Sequence, residues 1–166
     1  MKLILPFLAA GITVAPVASF AQDALVSEAP SVVSRASDRE SRPGPTEHFT
    51  GIVTIESVSA PEGPEGVVLG IVSFEPNARS NWHSHPAGQN LFVTRGCGWT
   101  QAEGGPVERI CEGDAVRVQP GVRHWHGATD TTHMTHLAIT GRTGGSNVEW
   151  GESVSDGQDL AGLDEH

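Results

Sequence analysis

From His48 onward the chain is cut into short β-branched and aliphatic runs by glycine and proline. No stretch of helical periodicity longer than about a dozen residues interrupts them, and no segment repeats. The runs fall at 49–58, 67–74, 80–85, 90–95, 97–102, 107–111, 114–118, 123–127, 134–140 and 147–150. Many short strands at regular spacing, with turn residues between them, indicate an all-β sandwich or barrel. The pattern predicts one domain over 48–150. Residues 22–47, rich in Ser, Pro and charge, read as a flexible lead-in, and residues 151–166 as a loose acidic tail.

Within this pattern His83-Ser84-His85 is followed by Gln89 and, further on, by His124. On a strand, side chains two residues apart share a face, so His83 and His85 can grip one ion. Gln89 offers a neutral carbonyl oxygen as a further donor. Gly113-Asp114 and Pro120-Gly121 bracket a short strand and a tight turn that bring a third imidazole, His124, to the first two. Three imidazoles and an amide leave a divalent ion its full +2 charge. The centre is then a stronger Lewis acid than one with a carboxylate ligand, though it holds the metal less tightly. Mixed nitrogen and oxygen donors suit manganese or iron, with zinc and nickel admitted by affinity order.

These residues resemble the motifs of the cupin superfamily. His83, His85, position 89 and Gly96 match the first motif, HxH-x3-E-x6-G, with glutamine in place of glutamate. Gly113, Gly121 and His124 match the second, with Pro120 one place later than usual. The strings WHSHPAGQ, TRGCGWTQ, PGVRHWHGA and MTHLAI, within about residues 46–155, are similar to those of the small manganese-dependent hydroxynitrile lyases of the (R)-mandelonitrile lyase type. The resemblance implies a jelly-roll barrel, a metal held by His83, His85, Gln89 and His124, manganese as the ion, and a homodimer. It implies cleavage of a cyanohydrin to an aldehyde and hydrogen cyanide. It also puts His136 in the pocket as the acid/base group. His126, two residues beyond His124, faces the same way and is either a second proton carrier or an outer support of the ligands. Two other readings stay open: a metal-dependent oxygenase of the same fold, and a non-catalytic module binding a small ligand.

The remaining features bound the function. Lys2, the apolar stretch Leu3 to Val17 and the small residues ending at Ala21 read as a signal peptide, so export to the periplasm or beyond is expected. Lys2 is the only lysine, which excludes Schiff-base, pyridoxal-phosphate and P-loop chemistry in the processed chain. A formal charge of −10 argues against nucleic acid or an anionic membrane surface as partner and leaves a small molecule as the substrate. Cys97 and Cys111 lie equidistant from Gly104. They are either a cross-hairpin disulfide or two buried thiols. Trp82, Trp99 and Trp125 read as core or interface aromatics, Phe92 and Met134 as pocket walls or core, and Arg79 and Arg95 as solvated cations. His48 and His166 read as surface residues, and His133 as turned to solvent.

Overall fold

Side-chain alternation separates an inner from an outer face along every long strand of the domain. The computed structural model describes residues 31–155. The chain divides into units Met1–Val32 and Val33–His166, and the strands belong to the second. They are β1 (Ser41–Pro43), β2 (Phe49–Thr50), β3 (Val53–Ser59), β4 (Gly66–Phe74), β5 (Arg79–Ser80), β6 (His83–Ser84), β7 (Gln89–Ala102), β8 (Val107–Cys111), β9 (Ala115–Val118), β10 (His124–Ala128), β11 (Met134–Arg142) and β12 (Glu149–Trp150). All pairings are antiparallel. One wall runs β1-β3-β4-β11-β7-β9, and the other runs β2-β5-β10-β7-β8, with β6 beside β10 and β12 beside β6. This is the all-β jelly-roll barrel expected from the sequence.

β7 explains how the two walls join. The sequence predicts two strands broken near residue 96, but a single long strand runs through both walls. Gly96 (φ 73°) takes the bend, where a Cβ would lie 2.0 Å from the His133 carbonyl oxygen. Only glycine tolerates that approach and that dihedral. The opposing strand shifts register between Thr135 and His136, which absorbs the bend as a bulge.

The first core cluster gathers Val53, Phe74, Ala78, Val93, Ile110, Ala128 and Met134; the second gathers Trp99, Trp125 and Val154. Fully burying Phe74 or Met134 contributes about 1.5–3 kcal/mol each. Trp99 and Trp125 are therefore core, as expected, with Trp82 packed beside them. Cys97 and Cys111 stand directly opposite in the β7–β8 ladder and form a disulfide, which decides between the two readings of the pair.

The domain extends beyond 48–150 at both ends. Ser41–Pro43 pairs with β3, and Ala36–Asp38 forms a helical turn, within the segment expected to be a flexible lead-in. At the other end, Gly151 N–H donates to the Trp82 carbonyl at 2.7 Å, and Val154 is buried among the tryptophans. The expected signal peptide, the start of the lead-in and the end of the tail with His166 lie outside the described residues.

Candidate metal centre

Two short strands and two turns deliver the histidines. His83 on β6 pairs across to His124 on β10. His85 follows β6, and its carbonyl accepts from Gly88 N–H (3.0 Å) and Gly121 N–H (2.9 Å). The Pro120-Gly121 turn, with Gly121 at φ 73°, is thereby tied to the His83–His85 segment. Gln89 opens β7 on its inward face. His83, His85 and His124 are buried, and each offers one ring nitrogen within 4.8 Å of the others.

Hydrogen bonds fix which nitrogen each ring presents. Nδ1 of His83 meets the Asn81 carbonyl at 2.9 Å, Nδ1 of His124 meets the Val122 carbonyl at 3.1 Å, and Nδ1 of His85 meets the Asn147 carbonyl. A carbonyl only accepts, so each Nδ1 carries the proton and donates. In a neutral ring that leaves Nε2 as a bare lone pair. The rings are held neutral. Burial, and then the neighbouring His124, hold His83 well below the usual imidazole range; burial lowers His85, and it lowers His124 to about 4.

The consequence is specific at Gln89. Its Nε2 donates to Thr140 Oγ1 at 3.4 Å, which turns Oε1 the other way, to 3.1 Å from His124 Nε2. Oxygen and nitrogen then face each other as two acceptors, and His85 Nε2 is buried with no partner. A cation between these atoms resolves both conflicts. The donor set therefore fits one divalent ion.

His126 and His136, the two expected catalytic residues, stand beside this group. Both line the same cavity, and their rings meet with His136 Nε2 3.3 Å from His126 Nδ1. His126 lies 5.2 Å from His83 and 5.9 Å from His124 between ring centroids. Burial lowers His136 to about 4 and holds His126 far below its usual range, with His136 as the next cause for His126. Their outer nitrogens, His126 Nε2 and His136 Nδ1, are buried without partners.

The cavity holds about 170 Å³. The rest of its lining is mostly apolar, with Ile55 on β3, Val68 and Val72 on β4, Ala138 on β11, and Phe49, Val148 and Trp150. Among the described residues that line it there is no carboxylate, arginine or lysine.

Several of these residues escape the sequence reading. Thr140 and the carbonyl of Asn147 orient ligands, and His48, expected at the surface, stacks on Trp150 at 4.3 Å between centroids. Inward alternation along 67–74 was the available signal for Val68 and Val72. Phe92 is a correction: it is 45% exposed on the outer face of β7 and belongs neither to the core nor to the lining of this cavity, whereas Met134 is core. Arg79 is half-buried and reaches the Val154 carbonyl at 3.3 Å. His133 is half-buried beside Arg95, in a recess that they share with Ser73, Glu75 and Thr135.

The cupin domain pattern matches residues 70–140. The chain is 50% identical over 126 residues to a protein of Granulicella tundricola named (R)-mandelonitrile lyase, spanning 76% of this chain and 96% of that one. A cupin-like protein of Thermotoga maritima is similar in structure with a TM-score of 0.64 and 39% identity, covering 69% of this chain and 86% of its own. A cupin 2 conserved barrel domain protein of Rhodopseudomonas palustris shares the fold with a TM-score of 0.57 at 15% identity, over 68% of this chain and 77% of its own.

Proposed function

Because this chain belongs to the cupin family, we propose that its cavity is the active site of a metal-dependent lyase cleaving cyanohydrins such as mandelonitrile to an aldehyde and hydrogen cyanide, and forming them in reverse. The observation that carries this reading is the 50% identity to a protein of that name over nearly its whole length. The cavity supports it, since a small chamber with a largely apolar lining beside the metal ligands, and with no lysine or arginine to pair a carboxylate, suits a neutral hydroxynitrile.

A divalent ion held by His83, His85, His124 and Gln89, manganese by family likeness, would supply Lewis acidity toward the substrate oxygen. The protein's own contribution is to move one proton. In the reaction the hydroxyl loses its proton, the carbon–carbon bond breaks with its electron pair on cyanide, and cyanide gains a proton. His126 and His136 are suited to this as a couple. One donates to the other through the 3.3 Å contact. Whichever way that bond runs, one outer nitrogen is then a bare acceptor and the other an N–H donor. The pair can accept the hydroxyl proton at one end and release a proton to cyanide at the other, His136 being the first candidate for the cyanide side. A positioned acid/base group contributes about 10²–10⁴-fold.

Export of the chain after cleavage near Ala21 belongs to the same proposal; an intact mass beginning at Gln22 would support it, and one beginning at Met1 would contradict it. The activity is tested by aldehyde release from mandelonitrile before chelation, after chelation and after return of manganese. Loss on chelation with recovery on return supports the reading. Equal rates in all three samples contradict the metal's part in it.

A further inference from the structure

β6 is only two residues long, yet it carries His83 and runs directly into His85. So short a strand keeps its place only through its neighbours. On one edge it has a single register pair to β10, His83 with His124. Its other edge is covered by residues 147–154. Glu149 and Trp150 pair with Ser84 and His83. Beyond that ladder Gly151 N–H donates to the Trp82 carbonyl at 2.7 Å, and Trp82 N–H donates to the Glu152 carbonyl at 2.9 Å. Asn81 Nδ2 donates to the Gly151 carbonyl at 3.3 Å, and the Asn147 carbonyl accepts from His85 Nδ1. The Trp150 ring lies 5.0 Å from the His83 ring. The segment is anchored away from the ligands. Val154 is buried with Trp99 and Trp125. The Glu152 carboxylate pairs with Arg123, whose guanidinium lies 5.2 Å over the Trp82 ring. Trp82 and Arg123 immediately precede the ligands His83 and His124.

We infer that residues 147–154 form a strap whose docking sets the affinity of the metal centre, with Val154 and Glu152 as its positioning residues. Docked, the strap holds the proton of His85 on Nδ1 and braces the backbone on both sides of His83. Undocked, the His85 ring loses its acceptor and is free to turn, and β6 keeps one register pair. The ion must then order its own ligands, which lowers its affinity. The converse also holds. An ion bridging His83, His85 and His124 fixes β6 and so offers the strap a rigid edge to dock on. Linkage makes the two effects equal: the factor by which docking tightens the metal is the factor by which the metal tightens docking. Asn147, Val148 and Trp150 also line the cavity, so the same docking closes the chamber beside the ion. The inference rests on the metal ligands assigned above and not on the reaction.

The test uses the processed protein in metal-free and manganese-loaded form. Val154→Asp puts a charge between the two tryptophans, and Glu152→Arg sets a cation against Arg123 without entering the core. Each should raise the manganese dissociation constant at least about fivefold, the low end of ordinary coupling, with far-ultraviolet circular dichroism unchanged. Glu152→Arg decides the matter if Val154→Asp fails to fold. In the parent, hydrogen exchange followed by mass spectrometry should slow across 147–154 when manganese binds, and stay as it was across the disulfide-linked hairpin strand 107–111. A strap that is only part of the scaffold would be equally protected in both forms. Unchanged manganese affinity in a folded variant overturns the inference, and so does exchange across 147–154 that ignores the metal. A parent that binds no manganese overturns the ligand assignment and the strap's role together, whereas failure of the strap experiments in a parent that binds it leaves the ligands standing.

Discussion

Replacing His136 by phenylalanine separates the proton chemistry from the metal and from the fold. The ring volume is nearly kept in a site of 0% exposure, already lined by Phe74 at 5.7 Å between centroids. Two effects should follow. The first is catalytic: kcat/KM for mandelonitrile falls at least about 10²-fold, or about 2.7 kcal/mol, while bound metal is unchanged, because His136 is not among the three clustered histidines. The second is a change in acid sensitivity. Burial lowers His136 to about 4 from 6.5. The unfolded chain therefore takes up this proton first as pH falls. The stability that the neutral ring permits is complete above pH 6.5 and is lost progressively toward pH 4. At about 1.4 kcal/mol per pH unit, the loss reaches about 3 kcal/mol by pH 4. Urea unfolding of the metal-free protein at pH 7 and pH 4 measures it. The variant should lose about 3 kcal/mol less than the parent over that interval, apart from a pH-independent cost for the unpaired His126 Nδ1 of about 1–3 kcal/mol. Equal pH dependence in the two proteins would refute the claim of a neutral, buried His136. Parent-level turnover in the variant would move the acid/base role to His126.

Elemental analysis of His83→Ala and His124→Ala should show most of the divalent metal gone, and full occupancy in both would remove the ligand assignment. Gln89→Glu should retain or tighten the metal while slowing cyanohydrin cleavage, because a carboxylate cuts the charge felt by the substrate oxygen. Titration calorimetry and turnover on one preparation check both halves. Replacing Cys97 and Cys111 by serine opens a loop with a sequence separation of 14 and should cost about 3 kcal/mol in denaturant unfolding. A change below about 1 kcal/mol would mean that the unfolded chain is scarcely constrained by the bridge.

The β architecture was legible because turn residues punctuate the chain at strand length, and the histidine pair was legible from its spacing, although the single strand expected over 80–85 is two short pieces, Arg79–Ser80 and His83–Ser84, with His85 just beyond the second. What the sequence hid was mostly long-range. Gly96 reads as a strand break, yet it is a bend, because the His133 carbonyl on β11 occupies the space a side chain would need. Ser41–Pro43 is too short and too polar to announce a strand, and it exists through its pairing with β3. Gln89 was visible as a donor by its spacing, but the direction of its amide depends on Thr140, which lies on β11 far along the chain. Phe92 was assigned to the wrong face because an aromatic on a strand gives no sign of side by itself. The burial alternation of its neighbours Leu91 and Val93 shows the side. The pairing of His126 with His136 depends on β10 and β11 bringing both rings into one cavity, which no local pattern encodes.

The central claim is that a metal-loaded site with a histidine couple beside it cleaves a cyanohydrin without redox change. The most direct measurement is aldehyde release from racemic mandelonitrile by manganese-loaded protein, run in parallel under nitrogen and under air, with cyanide determined in the same samples. The account predicts equal rates in the two atmospheres and one cyanide for each aldehyde. Turnover that requires oxygen, or no aldehyde at any pH with manganese bound, would contradict it.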